Sequence, residues 1–233
     1  MTRDLVYGRR PVREALRGRR QVLEIWATER ALTAEAWLHG LRAKPKQERE
    51  LADAAGTRDH QGVVAWCEPY RYADAYDVAA GVSPLVVCLD QVSDPHNLGA
   101  VCRSAEAAGA TGVVLPAHGS AMVTAAVCKA SAGAVEHLPV AVVTNLSRYL
   151  NDVKGPDLWV WAAAGDADQT LWEADLTGGV ALVLGAEGKG LRPLVRRACD
   201  GGVSIPLLGR TESLNVSVAA GVLLYEARRQ RST

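Results

Sequence analysis

Paired cysteines are missing from this chain. The five it has, Cys67, Cys88, Cys102, Cys128 and Cys199, never fall at C-x-x-C spacing, and Cys88 and Cys102 sit in apolar segments. Reduced, buried thiols and a cytoplasmic protein are therefore expected, not a disulfide framework. The five histidines are dispersed, so no zinc cluster and no metal is expected. No apolar run approaches the roughly 20 residues that cross a bilayer, and the first residues lack an apolar signal-type stretch. Net charge is absent as well: 26 Lys and Arg balance 26 Asp and Glu, so the chain is not a polycation throughout. No G-x-G-x-x-G follows any strand-like run, which counts against an ordinary dinucleotide-binding enzyme.

What is present is a packable chain. Its 233 residues are 48% hydrophobic and 22% charged, enough for one large domain or two small ones. The charge is uneven. Residues 1–20 hold seven arginines against Asp4 and Glu14, a local excess of five positive charges. Such a patch can attract phosphates even in a neutral protein, although a plain solvated helix face has the same composition.

The patterning divides the chain. In residues 1–69, GRRPVREALRG reads as a short helix with Pro11 in its first turn, VLEIWAT (22–28) and HQGVVAWCE (60–68) as strands, and 32–55 as helix interrupted near Pro45. Residues 70–82 lack a clear period and read as a linker. From 83 to 233, short apolar runs (PLVVCLD, TGVVLP, LPVAVVT, LWVWAAA, VALVLG, VSIPL) alternate with helix-like stretches such as 97–109, 120–130 and 145–152. Near-continuous apolar strands separated by helices predict an α/β fold: a mostly parallel sheet covered on both faces.

Ligands of such sheets bind beyond the carboxyl ends of the strands, and three loops there stand out. LDQVSDPHNLGAVCRSAEAAG (89–109) places Asn97 at a helix start, where it could serve as a cap, and Arg103 off the apolar stripe Leu98, Val101, Ala105 and Ala108. LVLGAEGKGL (182–191) has Gly185, Gly188 and Gly190 directly after a buried strand, with Glu187 among them; it is not a Walker loop, because Gly190 stands where that motif needs Ser or Thr. The third runs from Ile205 and Pro206 through a polar loop. It enters a helix with Leu214, Val218, Val222 and Tyr225 on one face, Ser213 as candidate cap and Asn215 as an exposed amide in the first turn.

In this order, D-P-H-N-L-G-A-x-x-R-S-A, L-V-L-G-A-E-G-x-G-L and I-P-x-x-G-x-x-x-S-L-N-V-S-V-A-x-G resemble the three motifs of the SpoU branch of the SPOUT methyltransferases. The resemblance is close over 83–233. VYGRRPVREAL and HQGVVA resemble the ends of an amino-terminal RNA-binding domain found in the family, itself similar to ribosomal protein L30e. Within the branch the chain is most similar to the bacterial enzymes acting on a guanosine of 23S ribosomal RNA. The resemblance implies methyl transfer from S-adenosylmethionine to a ribose 2′-hydroxyl, a deep carboxyl-terminal trefoil knot forming the cofactor pocket, and a homodimer built through the knotted domain. By motif match, Asn97, Arg103, Glu187, Ser213 and Asn215 would be active-site residues. Leu184, Gly185, Ile205, Pro206, Leu214 and Asn215 would hold the cofactor, and Arg9, Arg10, Arg13 and Arg17 would grip RNA. Lys129 and Ser131, in KASAGAVEHLPV, match a further family stretch without an evident role.

The implied chemistry fits these residue types. A ribose hydroxyl is a weak nucleophile, so positioning is a major term, with help in removing its proton. A guanidinium, whose pKa exceeds about 12, suits Arg103 better to a phosphate clamp and electrostatic stabiliser than to a base. Asn97 would orient Arg103 or the ribose, and Glu187 would hold the guanidinium. Rival readings are the same chemistry on transfer RNA or on the ribosomal adenosine linked to thiostrepton resistance, and a non-catalytic RNA-binding assembly protein.

Overall fold

A computed structural model describes residues 2–232 of the chain. The first strand, β1 (Asp4–Tyr7), runs into α1 (Arg9–Ala15), which buries Pro11, Val12 and Ala15. There follow β2 (Val22–Ala27), α2 (Glu29–Ala34), a single 3-10 turn (Ala36–Leu38), β3 (Lys44–Pro45), α3 (Glu48–Ala55) and β4 (Val63–Cys67). The strands form a four-stranded sheet in the order β1-β4-β2-β3, antiparallel except for the β2–β3 pair.

The expected helical stretch over 32–55 is thus two short helices with an edge strand between them. Gly40, at φ 83, turns the chain, and Pro45 sits on the edge, the one place in a sheet where its missing N–H does no harm. A capping box, with Gln47 and Glu50 bonding each other's backbone, then restarts the helix as α3.

Residues 70–82 are not a loose tether. The Ala73 N–H donates to the Val140 carbonyl at 2.8 Å, and α4 (Ala75–Val78), capped by Asp74, packs beneath the Tyr149 hydroxyl, which donates to the Ala75 carbonyl. A four-residue helix is too short to declare a period.

The larger sheet follows: β5 (Leu85–Asp90), α5 (Pro95–Ala107), β6 (Gly112–Pro116), α6 (Ala125–Ala130), a 3-10 turn (Ala134–Glu136), β7 (Val140–Val143), α7 (Leu146–Val153), β8 (Leu158–Ala163), β9 (Gln169–Thr170), β10 (Gly179–Gly185), α8 (Pro193–Ala198), β11 (Gly201–Ser204) and α9 (Val216–Gln230). The strand order is β7-β6-β5-β10-β8-β11-β9, and every pairing is parallel. Alternation feeds two cores. Val87, Leu89, Leu182 and Leu184 face the layer of α5 and α9, while Val86, Cys88, Ala181 and Val183 face that of α7 and α8. Gly99 lets α5 lie directly on α6, since a β-carbon there would collide with that of Ala130.

One helix start differs from expectation. The helix expected over 120–130 covers only 125–130, because Thr124 is still extended. The stripe Val218, Val222 and Tyr225 of α9 is exposed, at 50%, 38% and 56%. The buried face is Val216, Ala220, Leu223, Leu224 and Ala227. All five cysteines are free; four are buried and Cys199 is half-buried. Burial pushes the Cys67 thiol up to about 11 and those of Cys102 and Cys128 to about 12, so they stay protonated at neutral pH.

The two sheets are joined by a buried ion pair. Arg20 reaches Glu136 through Nε–Oε2 at 2.9 Å and Nη2–Oε1 at 2.6 Å, with the two side chains 4% and 1% exposed. Its other amino group meets Asp4, and its face lies over the Tyr70 ring. Burial alone would lower the Arg20 pKa, but the hydrogen bonds to Glu136 together with the Coulomb attraction of Glu136 and other nearby groups outweigh it, and the net shift is upward. His137 Nε2 and Glu14 (3.0 Å) and the Tyr70 hydroxyl donating to the Val135 carbonyl (3.0 Å) extend the same seam. Removing one partner leaves a buried charge uncompensated. Glu136→Ala should therefore lower the unfolding free energy by about 3–5 kcal/mol in urea titration, and the apolar double replacement Arg20→Met with Glu136→Leu should restore most of it.

Candidate functional site

The three loops leave the carboxyl ends of β5, β10 and β11 and meet. In the first, Asp94, not Asn97, caps α5: its Oδ1 accepts from the His96 N–H at 2.9 Å, and Pro95 takes the first helical position. Asn97 is thereby moved into the first turn. In the third, Asn215, not Ser213, caps α9, its Oδ1 accepting from the Ser217 N–H (2.9 Å) and hydroxyl (2.6 Å). Both caps are ambiguous in sequence because two cap-competent residues stand close together in each loop.

Glu187 joins these helix starts. Its Oε1 accepts from Asn97 Nδ2 (3.2 Å), from Asn215 Nδ2 and from the Val216 N–H (3.4 Å). Asn215 Nδ2 also donates to Asn97 Oδ1 at 2.9 Å. Arg103 stands apart. It is exposed on α5, about 9 Å further along the axis and about 120° around it from Asn97. Among the described residues it has no hydrogen-bond or ion-pair partner. The expected contacts of Arg103 with Glu187 and Asn97 are not made here, because both amides are turned to the carboxylate instead.

Glu187 also lies between two cavities. One, of about 510 Å³, is lined by Leu184, Gly185, Ile205, Ser213 and Leu214 together with the 186–191 loop. Pro206, Asn215 and Arg103 are not among its lining residues. The other, of about 360 Å³, is lined by Gln91, Asp94 and Asn97, and shares Ala186, Glu187, Lys189 and Val216 with the first. A larger groove, about 990 Å³, opens beside Trp159, Gly179 and Gly201 at the amino ends of β8, β10 and β11. Sheets of this kind bind ligands at the carboxyl ends, so the smaller pair of cavities is the candidate site.

Two features shape the middle loop. Gly185 must be glycine, since a β-carbon there would overlap the backbone of Gly190, where Ala186 and Gly190 pair across the turn. Asp90, which no sequence motif singles out for a role, closes the loop from the neighbouring strand. Its carboxylate is fully buried and accepts from the Arg192 N–H (2.9 Å) and Nε (2.8 Å), with Nη2 at 2.7 Å. The sequence does hold a signal for it: a carboxylate ending a strand that is otherwise wholly apolar needs a buried partner.

Comparison with known proteins matches this architecture. The model of the SpoU rRNA Methylase family matches residues 84–225, and that described as RNA 2′-O ribose methyltransferase substrate binding matches 5–73. The chain belongs to the SpoU rRNA methylase family. Its relatives include the 23S rRNA (guanosine-2′-O-)-methyltransferase RlmB of Ralstonia nicotianae, 48% identical over 83% of this chain and 79% of the relative. RlmB of Shewanella oneidensis is 38% identical over 98% of both chains. An uncharacterized tRNA/rRNA methyltransferase of Synechocystis is 40% identical over 98% of this chain, which spans 63% of that longer protein. Among solved structures, the SpoU methyltransferase AviRb of Streptomyces viridochromogenes, in complex with the cofactor AdoMet, superposes at a TM-score of 0.82 with 27% identity, covering 99% of this chain and 91% of AviRb. In this SpoU methylase no helix among the described residues is long and apolar enough to cross a membrane.

Asp90→Ala removes the anchor of the 186–191 loop. It should cost about 1–3 kcal/mol of stability and weaken S-adenosylmethionine binding by about tenfold or more, which is 1.4 kcal/mol, in isothermal titration calorimetry. An unchanged Kd would mean that the loop keeps its shape without the Asp90–Arg192 pair.

Proposed function

We propose that this protein transfers a methyl group from S-adenosylmethionine to the ribose 2′-hydroxyl of a guanosine in 23S ribosomal RNA, a role that carries a cytoplasmic setting with it. The observation that carries the reading is the convergence of Asn97, Glu187 and Asn215 between two cavities, on loops that belong to a SpoU methylase.

The larger cavity suits the cofactor. Its volume lies within the usual range for small-molecule sites. Leu184, Val203, Ile205 and Leu214 give an apolar wall for a purine, and the close approach of Gly185 to Gly190 exposes loop backbone for polar contacts. When bound, S-adenosylmethionine supplies a methyl group on an electron-poor sulfonium. The residues of the chain then have positioning work. Asn97, held by Glu187 and Asn215, presents a fixed amide to the smaller cavity, where the ribose would lie. Arg103, with no partner among the described residues, is free to take the phosphate beside that ribose and to offset charge developing on the 2′-oxygen. Ser213, lining the larger cavity, offers a hydroxyl to substrate or cofactor.

The same reading includes a trefoil knot and a homodimer. Supporting the knot, the 205–214 segment lies against the 186–191 loop around one cavity before entering α9. Supporting the dimer, α9 leaves Val218, Val222 and Tyr225 exposed, with Leu208 fully exposed nearby in sequence, an apolar stripe whose occupant would be a second copy. The amino-terminal unit would serve as an L30e-like RNA grip, taking up residues 1–69, with 70–82 connecting it to the methyltransferase unit of 83–233.

The test is transfer of labelled methyl to unmodified 23S ribosomal RNA with the modified nucleotide mapped. A single 2′-O-methylguanosine is expected. Label at another nucleotide, or only on transfer RNA, would keep the chemistry and replace the substrate; cofactor binding without any labelled RNA would favour the assembly-protein reading. Arg103→Ala should abolish turnover with cofactor affinity nearly intact, and retained turnover would remove Arg103 from the mechanism. Val218→Glu, placing a charge on the exposed stripe, should yield a monomer in sedimentation experiments if that stripe is the dimer face.

A further inference from the structure

A third cavity lies away from the methyl-transfer site, where α1, the 59–62 turn and α6 meet. It measures about 490 Å³, and its walls carry Arg9, Arg10, Arg30, Gln61 and Lys129, with Glu48 the one carboxylate among the described lining residues. These cations are not equally committed. Arg9 is fixed, its Nη1 on Glu35 at 2.8 Å and its Nε donating to the Gln61 carbonyl at 3.1 Å. Lys129 is fixed too, donating to the Asp59 carbonyl at 2.8 Å and standing over the Tyr7 ring. Arg10 and Arg30 are exposed at the cavity and have no hydrogen-bond or ion-pair partner among the described residues. Arg13 and Arg17, the other basic residues of the α1 region, are instead paired with Glu14 at 3.3 and 3.5 Å.

We propose that this cavity is a phosphate grip for the RNA backbone, with Arg10 and Arg30 as its contact residues, and that it, not the Arg13–Arg17 face, makes the main electrostatic contact of the amino-terminal half. The proposal rests on RNA being the substrate. Guanidinium groups match phosphate oxygens in pairs, and unpaired cations in a concave site with buried walls at Pro11, Thr28 and Gly62 concentrate positive potential. Among the described residues no aromatic side chain lines the cavity, so it offers no stacking platform for a base; it would position RNA without reading sequence. One wall, Lys129, belongs to α6, and α6 packs through Ala130 on Gly99 of α5, the helix that carries Asn97 and Arg103. A phosphate seated there is held at a fixed place relative to the methyl-transfer site. Lys129 thereby ties the catalytic half to the cavity wall.

The experiment is filter binding of in vitro transcribed, unmodified 23S ribosomal RNA across a potassium chloride series, with the full-length protein. Arg10→Gln with Arg30→Gln should weaken binding about tenfold or more and lower the slope of log affinity against log salt by about 1–2. Arg13→Gln with Arg17→Gln should change both much less. An unaltered thermal shift with S-adenosylmethionine certifies that each variant is folded. Wild-type affinity and slope in the Arg10/Arg30 variant would overturn the proposal, as would an equal loss in the Arg13/Arg17 variant or an absence of RNA binding by the wild type. Because binding is read apart from methylation, methylated RNA with an unaffected Arg10/Arg30 variant overturns the grip alone. Binding lost in that variant while the wild type methylates nothing supports the grip and overturns the methyltransferase reading.

Discussion

Three donors from two distant segments converge on one oxygen of Glu187: the amide of Asn97, the amide of Asn215 and the N–H of Val216. None carries a formal charge. The carboxylate is stabilised by where it sits, at the amino end of the 15-residue α9, where the helix's own field favours a negative group. Asn215 works in both directions, capping α9 with its oxygen and binding Glu187 and Asn97 with its nitrogen. The junction adds a polar tie to the apolar packing of α5 on α9 and places Glu187 in the wall common to the two cavities.

The longer strands and the three loops are legible in the sequence because their signals are local: apolar runs, glycines after a strand, polar clusters before a helix; the strands β1, β3 and β9, of two to four residues, are too short to show one. The caps are not legible, because D-P-H-N and S-L-N each offer two candidates, and the choice is made by Pro95 in one case and by a carboxylate 28 residues away in the other. The orientation of α9 is illegible for another reason. It is apolar on two sides, with Ala220, Leu223 and Leu224 on one and Val218 and Val222 on the other, so periodicity alone does not choose. Asp90 and Arg192 find each other only once β5 and β10 are neighbours. Nor does composition reveal that one of seven crowded arginines, Arg20, is buried while the others meet solvent or surface carboxylates.

That buried pair fastens the two halves to each other. Arg20, Tyr70 and Glu14 on one side meet Glu136, Val135 and His137 on the other, and Ala73 hydrogen-bonds directly to β7. All of the catalytic-half partners lie within the KASAGAVEHLPV stretch or next to it. Its residues therefore serve the joint: Ser131, buried, bonds the Cys128 carbonyl and holds the turn after α6 in shape.

The position of β10 has a consequence for how the chain comes into being. It is the fourth strand in space, between β5 and β8, yet among the last to be synthesised. Emerging at about 5–20 residues per second, the nascent chain holds the β10-facing edge of β5 open for several seconds, and that of β8 for the shorter time after β8 has itself emerged. Open edges invite pairing with the wrong chain. The central strand thus joins the sheet late and from the inside, and until it arrives the facing edges of β5 and β8 are open to wrong pairing.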